Sequence, residues 1–486
     1  MAISALDLTV LTVYLAATVA FGLWIGRGQR TAQDYLLGGR DLPWWALLLS
    51  IVATETSTAT FLSVPGIAYG GQGLLYLQLP LGYLVGRTIA AFVLLPLYFH
   101  GQLFTAYEVL RQRSGAVVRT LASGLFLVTR TLADGLRLYL AALVLQVMFD
   151  CPLAVAVAAL GATTILYTAI GGIKSVVWTD VIQFAVYMVG ALVALLVLGS
   201  KLDLGLGGAL TAAHDAGTLR LFDFAFDLSR PFTFWAGLIG GAVLSIGSHG
   251  VDQIIVQRYL SARSLSDARK ALLWSGPVVL LQFVLFLVIG VGLAAFYRAH
   301  PPAVPFASND RAFADFIVHH LPTGLIGIVL GAVFSAAMST LSSSLSATAS
   351  ALVNDFILPR TGHRPDHPFA LRAARLATLL FGGLQIGVGL SGLGGGEAVV
   401  NQVLAIATLT TGIILGLFLL ALGERRSPRA SAWGLGGGLL GIVLLLVVLP
   451  WRGATIAWPW HGVVTCAMTV LVGKVALRLP AGARDS

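Results

Sequence analysis

The sequence predicts an all-α, polytopic membrane protein, and three observations carry that prediction. The 486 residues are 57% hydrophobic and 10% charged, with 56 glycines, a composition foreign to soluble globular domains. Apolar stretches long enough to cross a bilayer recur from residue 6 to residue 478. No sizeable polar insertion separates them, so residues 1–486 read as a single membrane domain in lipid.

The stretches fall near 6–26, 43–70, 76–99, 119–148, 151–170, 176–199, 233–257, 271–297, 323–353, 369–391, 398–421, 431–449 and 459–478, about thirteen transmembrane helices. The first lacks a basic leader and a small-residue cleavage site, so it reads as a retained span. A formal charge of +9 could suggest nucleic acid, but the basic residues sit in short loops rather than in one aromatic-laced patch. They sort by side. Arg27, Arg30, Arg40, Arg111, Arg113, Arg119, Lys174, Arg258, Arg263, Arg269, Lys270, Arg360, Arg364, Arg372, Arg375, Arg425, Arg426 and Arg429 fall on one side, with Lys474, Arg478 and Arg484 near the C-terminus. Lys201, Arg220, Arg230, Arg298, Arg311 and Arg452 fall on the other. The positive-inside rule then predicts a multi-pass protein of the plasma (inner) membrane, with its N-terminus outside and its C-terminus cytoplasmic.

Two outside loops, about 200–232 and 298–322, are longer than the rest. In the second, PPAVPFASND precedes RAFADFIVHHL, which reads as a short amphipathic interfacial or lid helix. His319 and His320 there read as solvated rather than metal-bound. Cys151 and Cys466 have no metal-ligand spacing and read as lipid-buried spectators.

Polar residues interrupt two spans at corresponding places. ATETSTAT (53–60) breaks the second span and LSIGSHGVDQ (244–253) the seventh, five spans later. Paired broken helices are the mark of inverted-repeat transporters with a site at the bilayer midplane. The division that follows is an N-terminal extra helix and loop (1–42), a first repeat (43–199), an outside loop (200–232), an inverted second repeat (233–421) and C-terminal extra helices (422–486).

The ninth span carries SAAMSTLSSSLSATAS, a hydroxyl stripe in an otherwise apolar helix. Positions 336, 339 and 340 share one helical face, and 339, 342 and 343 repeat the spacing one turn later. Oxygen ligands without thiolates or paired imidazoles suit a hard cation such as sodium. The alternative is that small residues merely let helices pack closely. Ionisable residues in the spans also need a partner or a task, because each costs about 2.5–3.5 kcal/mol to insert. These are Glu55, Arg87, Arg130, Asp134, Arg137, Asp180 and Asp252. Arg130 and Asp134 lie four apart and can pair within one helix. Asp180 stands either as an acid favoured by a helix N-terminus or as the formal charge for a cation held by hydroxyls.

GGIKSVVWTDVIQ (171–183) resembles the signature of the sodium:solute symporter family, and DQIIVQRYLSARSLSDARKA (252–271) resembles a second block of it. GGRDLPWW (38–45) and MSTLSS (338–343) extend the likeness over almost the whole chain. The resemblance implies a leucine-transporter-type fold with two inverted five-helix repeats. It implies one sodium site at Ala53, Thr56, Ala336, Ser339 and Thr340, and a possible second sodium at Ser339, Ser342, Ser343 and Asp180. By position, the solute would meet Glu55, Ser57, Thr60, Gln78, Arg130, His249 and Gln402. Glu55 departs from the sugar, proline and sialic-acid patterns of the family, and a carboxylate there favours a hydroxylated or amine-bearing solute or a pairing with Arg130.

The function expected is a sodium-coupled symporter importing a small organic solute by alternating access, with sodium, solute and lipid as its partners and no nucleic acid. The rival reading is a proton-coupled or channel-like carrier in which Asp180 and Glu55 titrate. An enzyme is not expected, since HExxH, a nucleophile elbow and a phosphate-binding loop are all missing from the sequence.

Overall fold

A computed structural model describes residues 4–100, 103–149, 151–302, 304–306, 308–391, 399–423 and 427–478. Among them the chain is helical, and the only strand-like feature is an isolated parallel bridge between Leu42 and Ala262. The principal helices are α1 (Ala5–Ile25), α2 (Trp44–Glu55), α3 (Thr58–Ile67), α4 (Gln78–Ile89), α5 (Ala116–Phe149) and α6 (Leu153–Ser200). They continue as α7 (Gly241–Gly250), α8 (Gln253–Leu260), α9 (Leu265–Ala299), α10 (Arg311–His320) and α11 (Leu325–Ala351). The C-terminal set is α12 (Pro368–Leu390), α13 (Val399–Leu422), α14 (Pro428–Val443) and α15 (Pro459–Arg478).

Nine helices among the described residues are long and apolar enough to cross a membrane, or eleven when each of two bent pairs counts as one span. The pairs are Trp44–Glu55 with Thr60–Gln72, bent by 64°, and Ala236–Gly250 with Gln253–Leu260, bent by 52°. These are the two interruptions anticipated from sequence. The expected fifth and sixth spans are joined in α6, whose 48 residues are interrupted at Gly172. Gly172 has φ +55° and ψ −159°, and a Cβ there would strike the backbone of Tyr35, so only glycine fits the turn.

Helix α11 is central. Every residue from Val329 to Ala351 is buried, and several of its serines and threonines donate to carbonyls one turn back, as Ser335 does to Gly331 (2.6 Å) and Thr348 to Ser344 (2.8 Å). Its first turn is capped from a distant helix. The fully buried Asp7 of α1 accepts from the amides of Gly324 (2.7 Å) and Gly327 (2.8 Å). Asp7→Ala should therefore lose about 1–2 kcal/mol of stability, with Asp7→Asn losing less because it keeps one acceptor. Equal melting temperatures for wild type and Asp7→Ala in detergent would contradict this.

Glycines bring α4 and α7 into backbone contact. A methyl at Gly82 would overlap the Gly237 carbonyl, one at Gly86 the Ala242 carbonyl, and one at Gly241 the Leu79 carbonyl. Helix α10 is the helix expected in the second long loop, and its Phe313 stacks on Phe61 of α3 at 5.5 Å. His319 pairs with Asp315 (2.9 Å), and no metal-binding cluster occurs among the described residues. Two large apolar clusters fill most of the interior, one holding Ile51, Leu345 and Ala347, the other Val52, Ala53 and Leu341. Their border crosses α2 and α11 at the level of the serine stripe, so the polar layer lies between two apolar masses.

Candidate functional site

Both helix breaks expose backbone. Helix α2 stops at Thr56, whose ψ of 95° leaves the helical region, and Ser57 starts α3 as its N-cap. Helix α7 ends at Val251, and Asp252 caps α8 by accepting from Ile254 N at 2.9 Å. Helix α11 packs against α2, and there its hydroxyls meet the first break. Ser339 Oγ lies 2.9 Å from the Ala53 carbonyl and 3.2 Å from that of Ala336. Thr340 Oγ1 lies 3.2 Å from the Thr54 carbonyl and 3.3 Å from Ala336 O. Ala53, Ala336, Ser339 and Thr340 are thus brought together as a knot of neutral oxygens, all at most 2% exposed. The Thr56 side chain turns elsewhere. Its hydroxyl donates to Val52 O (2.9 Å) and accepts from Gln282 Nε2 (2.7 Å), so only its carbonyl is left for the knot.

Asp180 reaches the stripe through an arginine that the charge sorting had placed in a cytoplasmic loop. Arg258 lies on α8, fully buried, with its Nη2 2.8 Å from Asp180 Oδ2. Helix α8 is the second half of a broken span, so a residue near its end still lies inside the protein. The same guanidinium bonds Ser343 Oγ and Thr54 Oγ1 (2.5 Å each) and Ser50 Oγ (2.7 Å). Two of the residues implied for a second sodium, Asp180 and Ser343, therefore share a fixed positive charge. The Ser342 hydroxyl instead turns back to Ser339 O at 3.2 Å.

At the first break Glu55 is held from α4 and α7 rather than by Arg130. Arg87 Nη2 donates to both of its carboxylate oxygens (2.7 and 2.5 Å), and His249 Nε2 stands 3.5 Å from Oε1. Arg87 and His249 are each 1% exposed, whereas Glu55 keeps 24% of its side chain open. Ser57 and Thr60 lie on the adjoining turn, their hydroxyls 3.4 Å apart. Arg130 pairs with Asp134 at 3.0 Å, as its spacing suggested, and Arg137 takes the other carboxylate oxygen at 2.6 Å. Arg130 also lines a small cavity with Asp252, Thr129 and Thr410, at the second break. Gln78 does not join the group. Its carboxamide staples the long loop before α7, donating to Leu75 O (2.9 Å) and Phe232 O (3.2 Å) and accepting from Asp223 N (3.0 Å). Gln402 falls within α13, but its side chain lies outside the described residues.

Sequence reasoning missed Arg258, Ser50, Thr54 and the Gln282–Tyr187 pair beside Thr56 (3.2 Å). An arginine at the end of an apolar run, DQIIVQRYL, was the available signal for the first.

Two broken helices, a hydroxyl-bearing helix across one break and charged side chains at both define an ion-coupled secondary transporter. The chain belongs to the sodium:solute symporter family, whose model matches residues 35–441. It is 28% identical over 485 residues to the sodium/sialic acid symporter NanT of Aliivibrio fischeri, covering 96% of this chain and 92% of that one. It is 31% identical over 451 residues to the human sodium/iodide cotransporter, covering 89% and 68%. A solved substrate-bound, outward-open Na+-coupled sialic acid symporter superposes with a TM-score of 0.87 at 25% identity, over 99% of this chain and all of that one. The nucleobase-cation-symport-1 transporter Mhp1 shares the fold, with a TM-score of 0.55 at 14% identity over 93% and 95%. The chain is a sodium-coupled symporter of a small organic solute, and its family is one of transporters rather than enzymes.

Proposed function

We propose that the chain imports a hydroxyl- or amine-bearing solute by alternating access, with sodium bound at Ala53, Thr56, Ala336, Ser339 and Thr340. The observation that carries the site is the oxygen knot, in which Ser339 Oγ and Thr340 Oγ1 meet carbonyls of the broken helix at 2.9 and 3.2 Å. A cation between them would draw α2 onto α11 and favour one state of the cycle. Each charge moved down a potential supplies about 2.3 kcal/mol per 100 mV to the solute.

The solute chemistry follows from the charges. Arg87 and Arg130 are each engaged by a carboxylate, and the most open of these groups is the acidic Glu55, which suits donors better than an anion. Relatives named for sialic acid and for monocarboxylates keep both, with other sugars, in the test panel. The same ion pairs argue against the proton-coupled reading, since Asp180 and Glu55 are each tied to a buried arginine.

The topology proposed is leucine-transporter-type, with thirteen crossings when α6 counts twice about Gly172 and α13 once. Inverted repeats at 43–199 and 233–421, an outside N-terminus and a cytoplasmic C-terminus complete it. The bends of 64° and 52° at matching places support the repeats. A possible second sodium at Ser339, Ser342, Ser343 and Asp180 would require Arg258 to share Asp180.

The test is uptake into proteoliposomes, with sodium or potassium outside, over a panel of sugars, sialic acids, amino acids and monocarboxylates. Uptake should require external sodium. Ser339→Ala and Thr340→Ala should each raise the half-activating sodium concentration about tenfold or more, the equivalent of one good charge-assisted contact. Unchanged sodium activation in both variants would sink the site.

A further inference from the structure

Below the oxygen knot, the hydroxyl face of α11 continues. Ser339, Ser343, Ser346 and Ser350 follow one another at intervals of four, three and four, and Asn354 comes four later, so all share one helical face over about 22 Å. Helix α8 lies along this face and matches it residue for residue. Arg258 Nη2 donates to Ser343 Oγ (2.5 Å), Gln257 Nε2 to Ser346 Oγ (3.1 Å) and Gln253 Nε2 to Ser350 Oγ (3.4 Å). The seam is closed, with each of these six side chains at most 1% exposed. At its lower end, Asn354 lines an open cavity of about 540 Å³ with Phe104, Thr105, Arg119 and His363. Phe104 joins the two, because its carbonyl accepts from both Gln253 Nε2 and Ser350 Oγ at 3.3 Å. The basic loops around this cavity mark it as cytoplasmic under the topology proposed above.

Ordinary packing explains a small-residue helix face, but it does not explain oxygens left without donors. Gln257 Oε1 is fully buried and has no hydrogen-bond partner, although its own amide nitrogen is held by Leu36 O (2.8 Å) and Ser346. Asp180 Oδ1 and both ends of the Gln183 carboxamide, one turn apart on α6, are likewise buried and unpartnered. The Tyr167 hydroxyl lies beside both Gln183 and Ser342, which places Gln183 against the stripe. Buried acceptors without donors are costly, and a hard cation is what such oxygens satisfy.

We propose that the α8–α11 seam is the route by which sodium leaves for the cytoplasm, with Gln257 Oε1 as a transient ligand and Gln253, Gln257 and Arg258 as the gate. While docked on Ser343, the Arg258 guanidinium bars the seam with a like charge. Its release from Ser343, with the Asp180 contact kept, would clear the path. The inference rests on the sodium-coupled reading, and the test separates the two.

In a Cys151→Ser/Cys466→Ser background, Ser346→Cys and Ser350→Cys are probed in inside-out vesicles with a small cationic thiol reagent, with Asn354→Cys as the cavity control. Both seam positions should react when internal sodium is absent, and about tenfold more slowly when it is high. Gln257→Leu should keep the wild-type external sodium activation curve while its turnover falls about tenfold. Seam cysteines that stay inert in both conditions while Asn354→Cys reacts would overturn the route, as would reactivity indifferent to sodium or wild-type turnover in Gln257→Leu. Sodium-independent uptake by the unmodified protein would overturn the coupling reading instead.

Discussion

Asp180→Asn is expected to destabilise the protein by about 3–5 kcal/mol, because it leaves the Arg258 guanidinium buried without its counter-charge. Both partners are fully buried, and their 2.8 Å contact lies in a layer where water cannot replace a lost charge. Arg258→Met should cost a similar amount by stranding the carboxylate. The double variant Asp180→Asn/Arg258→Met should recover most of the loss, since two neutral side chains of similar size leave no unpaired ion. Thermal unfolding in detergent, followed by size-exclusion chromatography, measures all three. A single variant as stable as wild type would mean that the pair does not carry the local fold. Adding sodium in place of potassium should raise the melting temperature of the unmodified protein by mass action on its bound state.

Glu55→Gln is expected to weaken solute binding about 10- to 100-fold while leaving sodium activation intact. The substitution removes the charge that Arg87 contacts through both carboxylate oxygens (2.7 and 2.5 Å), and hydrogen bonds to charged groups contribute about 1.5–3 kcal/mol. The freed guanidinium then faces a site built for donors, so an anionic solute rejected by the wild type should gain relative to a neutral one. Competition of the two solutes in the uptake assay reads that reversal. The same preference in both proteins would show that Glu55 does not face the solute.

How far the site was legible in the sequence follows from the range of each interaction. The stripe on α11 and the Arg130–Asp134 pair depend on helical spacing alone, and both stand where spacing put them. The two breaks were visible because polar residues interrupt apolar runs, and their bends of 64° and 52° fall at those residues. The Glu55–Arg87 pair joins residues 32 apart, across helices whose packing no local pattern specifies. Arg258 was misplaced for a related reason. Sorting charges by loop assumes that a span is one straight helix, and a broken span carries its last charged residues back into the interior. Gln78 shows the opposite failure, for a residue at the right height can still be committed to a loop. The turn at Gly172 falls in the gap between the expected fifth and sixth spans, 151–170 and 176–199, although a glycine pair gives no sign of its φ.

The glycine contact between α4 and α7 has a mechanical consequence. With carbonyls resting where side chains would be, neither helix can slide or rotate against the other without a collision, so the two move as one plank. Arg87 is carried by α4 and His249 by α7, which makes their spacing a constant of the cycle. Any rearrangement at the first break is then the travel of Glu55 along a fixed basic edge, and the stroke of the transporter can be gauged from that one carboxylate.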